Sequence, residues 1–239
     1  MLFAAGFGRR MQPLTQDRPK PLVEVAGKAL IDHALDLVPG ADIGRIVANT
    51  HYKSEMIARH LAARPVTLSY ESPAILETGG GLRAALPLLG VDPVLTLNSD
   101  AVWGGENPLR LLQSRWNPTK MDALLVCIPL QQARGHSGAG DFNRAPDGRL
   151  TRGCGLIYGG AQLLKTDGLQ AISETAFSLN LLWDQMASKG RLYGVSYSGY
   201  WCDVGRPESI ALAQDMFCLL YTSDAADEGL GVDLGGRRI

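Results

Sequence analysis

Residues 2–10 are Leu-Phe-Ala-Ala-Gly-Phe-Gly-Arg-Arg, a short apolar run that passes directly into a glycine-rich loop with two arginines. An apolar run bounded by glycine predicts a buried β-strand. Glycine lets the backbone at the end of a strand approach a ligand closely, and successive exposed N–H groups there bind phosphate. We therefore expect the first strand to end in an anion-binding loop.

Short runs rich in Val, Ile and Leu alternate with amphipathic stretches along the next 120 residues or so. This alternation favours a mainly parallel sheet flanked by helices, which is the α/β class. The candidate strands are residues 2–5, 45–49, 66–70, 94–98 and 123–129. The candidate helices are residues 29–38, 54–63, 80–86 and 108–116.

The second half of the chain differs in composition, because residues 135–155 are polar and rich in glycine. A helix over 178–188, a strand over 192–197 and a last helix from 207 to about 220 follow. We interpret this half as a continuation of the same sheet with an appended lobe, so that residues 1–220 form one domain. Residues 221–239 lack apolar periodicity and are expected to be a disordered or non-native tail.

Composition limits the classes of function. Lys and Arg number 23 against 24 Asp and Glu, with no block of like charge, so non-specific binding to nucleic acid or to a membrane surface is not expected. No apolar run approaches the roughly 18 residues of a membrane span, and no cationic segment precedes the first apolar run, so a cytoplasmic protein is expected. The four cysteines are far apart, which favours buried free thiols over disulfides or zinc ligands.

The glycine-rich loop matches neither of the two common phosphate-binding motifs. The dinucleotide motif G-x-G-x-x-G requires a third glycine where Met11 stands, and no G-x-x-x-x-G-K-S/T occurs. A Rossmann oxidoreductase is therefore disfavoured, also because no acidic residue stands clearly at the ribose-binding interval. Since a bare G-x-G often serves only a turn, the glycines alone do not identify the ligand.

The longer string does resemble a known signature. Sugar-1-phosphate nucleotidyltransferases carry G-x-G-x-R-(L/M)-x-P-L-T followed by P-K-P, which residues 6–15 and 19–21 match. Further similar segments follow in the order of that family and extend the resemblance over roughly residues 1–215. They are E-T-G-G-G at 77–81, N-S-D at 98–100, G-A-G-D-F at 138–142 and G-Y-W-C-D-V-G at 199–205.

The resemblance implies a Rossmann-like three-layer sandwich with a mixed, mostly parallel central sheet. It also implies a nucleotidyltransferase that joins a nucleoside triphosphate to a sugar-1-phosphate with Mg²⁺ and releases pyrophosphate. The segments at 77–81, 138–142 and 201–205 are most similar to the uridylyltransferases that act on N-acetylmuramate 1-phosphate in cell-wall recycling. Mannose-1-phosphate guanylyltransferase is the alternative, and the protein is expected to be a monomer or a small homo-oligomer.

Charge neutralisation and positioning dominate this kind of chemistry, because both reactants are anions. Arg10 is expected to bind the β- and γ-phosphates, since a guanidinium matches phosphate oxygens in a bidentate manner. The resemblance implies that Lys20 is a second phosphate-binding charge. Asp100 and Asp203 are expected to converge on one Mg²⁺, which prefers oxygen ligands. A sugar phosphate is already largely ionised at neutral pH, so no general base is required.

The remaining site residues are implied by the resemblance. The expected nucleotide-binding residues are Ala4, Ala5, Gly6, Gly8, Thr78, Gly79 and Gly80. The expected sugar-phosphate residues are Asp141, Gly160 and Asn180.

Three positions depart from the family pattern: Phe7, Ser99 and Gly159. These departures bear on turn geometry or on the choice of sugar. A catalytically silent nucleotide-sugar-binding regulator on the same fold is an alternative of a different class, because a fold does not fix an activity. The joint presence of Arg10, Lys20, Asp100 and Asp203 argues against a silent protein, which would not need the complete set of charges.

Overall fold

A computed structural model gives the fold and describes residues 1–90 and 92–230. Its strands are β1 (Leu2–Phe3), β2 (Glu24–Val25), β3 (Lys28–Ala29), β4 (Ile46–Thr50), β5 (Val66–Tyr70), β6 (Val94–Asn98), β7 (Ala101–Gly104), β8 (Ala123–Pro129), β9 (Ala133–Arg134), β10 (Phe142–Arg144), β11 (Leu150–Arg152), β12 (Leu156–Leu164), β13 (Leu192–Ser196) and β14 (Tyr200–Asp203). Its α-helices are α1 (Leu30–Leu35), α2 (Ser54–Leu61), α3 (Glu77–Leu89), α4 (Pro108–Arg115), α5 (Asn180–Ser188) and α6 (Glu208–Leu230).

The central sheet has the order β5-β4-β1-β6-β12-β8-β13, and the short strands β10 and β11 extend it beside the first half of β12. Strands β5, β4, β1 and β6 pair in parallel, as do β8 and β13. Strand β12 pairs antiparallel with both β6 and β8. Six of these seven strands therefore run in one direction, which confirms the prediction of a mixed, mostly parallel sheet.

Consecutive residues of the sheet alternate between two hydrophobic cores. Leu124 and Val126 of β8 join the core that contains buried residues of α1, α2 and α4, whereas Leu125 and Cys127 join the core that contains residues of α3 and α5. This alternation follows from the period of two in a strand, and it makes the sheet the middle layer of three. The Rossmann-like three-layer sandwich is confirmed.

Two smaller sheets complete the fold. Strands β2 and β3 form a hairpin, and β14 pairs antiparallel with β7 and in parallel with β9. Helix α6 packs on these elements through buried Ala213 and Met216, in a third apolar cluster that includes Met11. None of the described helices is both long enough and apolar enough to cross a membrane.

Each helix and strand predicted from the sequence is present: β5, β6 and β8 have the predicted ends, and the other predicted elements have shifted ends. Helix α3 begins at Glu77 rather than at 80, because the N–H groups of Gly79 and Gly80 both donate to the carbonyl oxygen of Phe177 and hold the first turn in place. Helix α6 continues to Leu230, so the predicted helix end near 220 is too early.

The predicted tail overlaps the last helix. Residues 221–230 belong to α6, and residues 231–239 lie outside the described residues. Of the four free cysteines, Cys127 and Cys202 are buried as expected. Cys154 and Cys218 are exposed, which contradicts the expectation of burial, because they lie on a surface loop and on the outer face of α6.

Candidate active site

The loop after β1 turns sharply at Gly8. Gly8 has a left-handed backbone with φ +64°, and a Cβ atom added there would lie 2.9 Å from Cβ of Lys20. The hydroxyl group of Thr15 donates to the carbonyl oxygen of Gly8 at 2.9 Å. A glycine is therefore required at this position both for its conformation and for the close approach of the segment that contains Lys20.

Lys20 and Asp100 form an ion pair between the first loop and the end of β6. The Lys20 Nζ lies 2.8 Å from Oδ2 of Asp100, and the lysine side chain is mostly buried. Burial raises the pKa of Asp100, but the charges of Lys20 and Arg10 outweigh it, so the pKa lies below its ordinary value. Asp100 is therefore held ionised next to two cations.

Asp203 reaches the same place from the far end of the chain. It ends β14 and pairs in register with Ala101 of β7, directly after Asp100. The N–H of Val204 donates to the carbonyl oxygen of Asp100 at 2.8 Å, which locks the two segments together. Burial and then the charge of Asp100 raise the pKa of Asp203, so the two carboxylates repel each other.

Three cavities meet at Asp100, which lines all of them. We name them the Ala4 cavity, the Gly8 cavity and the Asp141 cavity. The Ala4 cavity has a volume of about 200 Å³. Its lining includes the predicted nucleotide residues Ala4, Ala5, Gly6 and Thr78 together with Lys20, Asn49, Glu77, Asn98 and Ser99.

The Gly8 cavity, of about 470 Å³, is the wide and open space beside the first loop. Gly6 and Gly8 form its backbone wall, and Arg9, Arg10 and Lys20 supply three positive charges. A concave site with exposed loop backbone and three cations suits a chain of phosphates. The structure thus brings Gly8, Arg10 and Lys20 together as the sequence predicts.

The Asp141 cavity, of about 350 Å³, lies on the other side of Asp100. Arg10, Asp141, Gly160 and Asp203 all line it, so two of the three predicted sugar-phosphate residues are in place. One carboxylate oxygen of Asp141 accepts a hydrogen bond from the N–H of Tyr158 at 2.8 Å, which fixes the side chain against β12.

A bulge in β12 shapes the floor of the Asp141 cavity. The register of β12 against β8 shifts between Tyr158 and Gln162, and Gly160 has φ +93° there. A Cβ atom at Gly160 would lie 3.0 Å from Cβ of Asn98. The indole N–H of Trp201 donates to the carbonyl oxygen of Gly159 at 2.8 Å, so the bulge is tied to β14.

Gly79 and Gly80, predicted as nucleotide-binding residues, do not line the Ala4 cavity. Added Cβ atoms would clash with the Phe177 ring at Gly79 and with the Thr175 carbonyl oxygen at Gly80. Their N–H groups are bonded to Phe177, as described above. Close packing against residues 175–177 is therefore a reason for glycine at both positions, and their contact with the nucleotide stays a prediction.

Asn180, predicted as a sugar-phosphate residue, lines none of the three cavities. It begins α5, and its side-chain carbonyl accepts a hydrogen bond from Arg152 at 3.0 Å. The link between this region and the site is Thr78 instead, whose hydroxyl oxygen accepts from the N–H of Leu179 at 2.9 Å. The Asn180 side chain therefore ties the start of α5 to Arg152 of β11, and its role in binding the sugar phosphate stays a prediction.

Sequence analysis missed several lining residues, including His136 and Arg206 of the Asp141 cavity. Both stand next to recognised motifs, His136 two residues before the G-A-G-D-F segment and Arg206 directly after W-C-D-V-G. Their position beside a motif was thus the only feature of the sequence that could have indicated that they line the cavity. Asn98 and Glu77 belong to two of the motifs, and both line the Ala4 cavity.

The donor set is consistent with a magnesium ion held mainly by substrate. No group of three or more His, Cys, Asp or Glu side chains that could hold a metal is found in the described part of the chain. Asp100 and Asp203 provide two carboxylates, and Mg²⁺ characteristically binds one or two carboxylates plus phosphate oxygens and water. Their mutual repulsion is what a divalent cation between them would relieve.

This chain is similar to several known proteins. Residues 1–142 match the model of the MobA-like NTP transferase domain. The N-acetylmuramate alpha-1-phosphate uridylyltransferase of Caulobacter vibrioides is 38% identical over 90% of this chain and 94% of its own length. The enzyme of the same name from Neisseria meningitidis serogroup B is 33% identical over 86% of this chain and 92% of its own length.

A solved structure shows the same fold at lower identity. HddC from Yersinia pseudotuberculosis, complexed with GMP-PN, superimposes with a TM-score of 0.73 over 90% of this chain and 97% of that chain. The two sequences are 20% identical, so this likeness concerns the fold alone.

Proposed function

The chain belongs to the MobA-like NTP transferase family, and we propose that it transfers the uridylyl group of UTP to N-acetylmuramate α-1-phosphate. The products are UDP-N-acetylmuramate and pyrophosphate. One observation carries this proposal: Asp100, paired with Lys20, lies where the Ala4, Gly8 and Asp141 cavities meet. Base and ribose in the first cavity, polyphosphate in the second and sugar phosphate in the third would place the α-phosphorus beside Asp100.

The transfer needs one bond to form and one to break. An oxygen of the sugar phosphate attacks the α-phosphorus, and the bond from that phosphorus to the bridging oxygen of the β-phosphate breaks, so that the electron pair leaves with pyrophosphate. The attacking phosphate is already ionised at neutral pH, since its second pKa is about 6. The reaction therefore depends on aligning two anions and not on removing a proton.

Arg10 and Lys20 supply the positive charge for that alignment. Arg10 lines both the Gly8 and the Asp141 cavity, so its guanidinium can contact the leaving phosphates and the incoming phosphate. Lys20 is held at Asp100 by the ion pair and faces the Ala4 and Gly8 cavities. Both charges stabilise the transition state more than the separated reactants, because negative charge is brought together there on the oxygens around the α-phosphorus and on the leaving pyrophosphate.

Asp100 and Asp203 would hold Mg²⁺ in this proposal. When bound, the ion neutralises phosphate charge and polarises the bonds at phosphorus. The raised pKa of Asp203 and the repulsion between the two carboxylates support a cation between them. Lys20 neutralises part of the same charge before the metal and substrate arrive.

The proposed choice of sugar rests on Arg206 of the Asp141 cavity. N-acetylmuramate carries a carboxylate on its lactyl ether, which mannose lacks. Arg206 lines the cavity, and its side chain has no carboxylate partner among the described residues. A free guanidinium in a sugar pocket supports the uridylyltransferase over the guanylyltransferase alternative. We also propose that the reaction belongs to the recycling of cell-wall sugars in the cytoplasm.

The experiment that tests the proposal is pyrophosphate release from purified protein with Mg²⁺. UTP, GTP, CTP, ATP and dTTP are each combined with the 1-phosphates of N-acetylmuramate, N-acetylglucosamine, glucose and mannose. Preference for UTP with N-acetylmuramate 1-phosphate supports the proposal, and preference for GTP with mannose 1-phosphate replaces it with the guanylyltransferase. Nucleotide binding without release from any pair favours the silent regulator. Asp203→Asn protein prepared in the same way controls for contaminating activity.

A further inference from the structure

A buried polar pair joins the two walls of the Ala4 cavity. Asn49, near the end of β4, and Glu71, directly after β5, are 3% and 4% exposed. The side-chain amide of Asn49 donates to Oε1 of Glu71 at 2.7 Å. Glu71 itself lines none of the three cavities, and no cation forms an ion pair with it among the described residues.

Each member of the pair holds one wall. The side-chain oxygen of Asn49 accepts from the N–H of Ala4 at 2.8 Å, so it positions the loop after β1. The second carboxylate oxygen of Glu71 accepts from the N–H of Leu76 at 2.7 Å, so it positions the segment before α3. The two segments are distant in the sequence and belong to different elements, so the pair is a direct link between them.

The segment held by Glu71 has an unusual backbone. Glu77 follows Leu76 directly and has φ +59°, a left-handed conformation that is rare for a residue with a long side chain. Glu77 and Thr78 both line the Ala4 cavity. Strained residues persist where their surroundings hold them, and such strain clusters at ligand sites. The bond from Leu76 to Glu71 is the adjacent restraint.

The pair also accounts for the third glycine of the E-T-G-G-G motif. A Cβ atom added at Gly81 would lie 2.5 Å from Oε1 of Glu71 and 2.9 Å from the side-chain nitrogen of Asn49. Any side chain at Gly81 would therefore displace the pair. The motif leaves room for this hydrogen-bond network as well as for the packing of Gly79 and Gly80.

We propose that Glu71 and Asn49 are positioning residues for the nucleoside triphosphate, because their hydrogen-bond chain sets the distance between the Ala4 and Glu77 walls of the Ala4 cavity. This inference rests on the proposed function. Donation converges on Glu71: the Ala4 N–H donates to Asn49, the Asn49 amide donates to Glu71, and the Leu76 N–H donates to Glu71 from the other side. Both outer groups donate, so the pair must accept at both ends and supply one internal donor.

These donor and acceptor roles predict that two substitutions, each of which breaks the hydrogen-bond network alone, restore it when they are combined. Glu71→Gln puts an amide donor against either the Leu76 N–H or the Asn49 amide, and Asn49→Asp puts two carboxylates together. The double variant N49D/E71Q restores every bond with the internal donor reversed. In it, the new carboxylate accepts from the Ala4 N–H and from the new amide group, and the oxygen of that amide accepts from the Leu76 N–H.

The expected effects are on nucleotide binding. We expect each single substitution to raise the KM and the Kd for UTP about tenfold, with kcat changed less, because a distorted cavity weakens ground-state and transition-state binding alike. We expect the double variant to return both constants to within about threefold of wild type.

The measurement is UTP binding by titration together with steady-state kinetics, with melting temperature recorded for every variant. Asp32→Asn is the matched control, since Asp32 is a similarly buried carboxylate, 9% exposed, bonded to His60 and Arg64 away from the cavities. It should change the melting temperature but not the KM for UTP. Equal KM values in wild type and both single variants, or no recovery in the double variant, would overturn the positioning role. A wild-type protein that binds no nucleoside triphosphate would overturn the proposed function itself.

Discussion

Asp100 and Asp203 are two neighbouring carboxylates whose negative charge can bind a cation. Asp100 has its pKa lowered by Lys20 and Arg10 despite burial, whereas burial and Asp100 raise the pKa of Asp203. An isosteric amide removes the charge but keeps the shape. We therefore expect Asp100→Asn or Asp203→Asn to lower kcat at least about 100-fold with the fold intact.

Pyrophosphate release and circular dichroism measured on the same samples check this prediction. Asp42→Asn, which changes an exposed carboxylate that lies outside all three cavities, is the control and should retain wild-type kcat. Wild-type kcat in either active-site variant would remove that carboxylate from the mechanism.

Arg206 is the residue on which the choice of sugar is expected to depend. A bond between its guanidinium and the lactyl carboxylate is charge-assisted, so its loss should be selective for the acidic sugar. We expect Arg206→Gln to raise the KM for N-acetylmuramate 1-phosphate about tenfold or more and to leave that for N-acetylglucosamine 1-phosphate unchanged. Steady-state kinetics with both sugars check this, with Arg110→Gln on the surface of α4 as the control. Equal effects on both sugars would contradict a carboxylate contact.

Among the strands and helices, those with a strong local sequence pattern were predicted. The apolar runs of β4, β5, β6 and β8 were found because each alternates with an amphipathic helix. Strands β7 and β14 were missed, since each has only four residues and forms by pairing with the other across about 100 residues. This pairing places Asp203 beside Asp100. The sequence motifs therefore identified the two residues, but their relative position could be seen only in the fold.

A related physical reason explains why some predicted site residues lie outside the cavities. Gly79 and Gly80 were expected to allow a ligand to approach, but glycine also allows another segment to approach, and residues 175–177 are that segment. A sequence pattern does not distinguish these two partners. Conversely, Glu71 and Asn49 carry no local signal, because their role depends on neighbours from β1 and α3.

Asp122 links three strands and yields a prediction about pH. It forms ion pairs with Lys165 at 3.0 Å, after β12, and with Arg191 at 2.7 Å, before β13. Partial burial raises the pKa of Asp122, but hydrogen bonds from Arg191 and Lys165 outweigh it, so the pKa is lowered. A lowered pKa stabilises the folded state above the unfolded-state value of about 3.9, and this contribution disappears as the pH falls through the lower folded-state value.

We therefore expect Asp122→Asn to lower the melting temperature by about 2–4 °C at pH 7, with the difference from wild type shrinking as the pH falls below about 4. Thermal unfolding from pH 7 to pH 3 checks this. Asp147→Asn is the control, because the Asp147 pair with Arg149 is exposed on both sides and should contribute little at any pH. A difference that grows on acidification would contradict the sign of the pKa shift.

Across the whole molecule, helix α6 packs against the loop that follows β1. Met11, which follows Arg10 and is fully buried, belongs to the same apolar cluster as Ala213 and Met216 of α6. The first loop thus packs against the last described helix, and the position of Arg10 depends on packing contributed about 200 residues later.

This arrangement predicts different outcomes for two shortened chains. A chain that ends at residue 220 keeps Ala213 and Met216, so we expect its kcat/KM and its melting temperature to match the full chain. A chain that ends at residue 212 loses both, which removes roughly 2–4 kcal/mol of apolar burial and frees the loop around Met11. We expect it to unfold at a lower temperature and to lose most of its activity. Melting curves and pyrophosphate release measured side by side check both, and a loss of activity on removing only residues 221–239 would place functional residues in that segment.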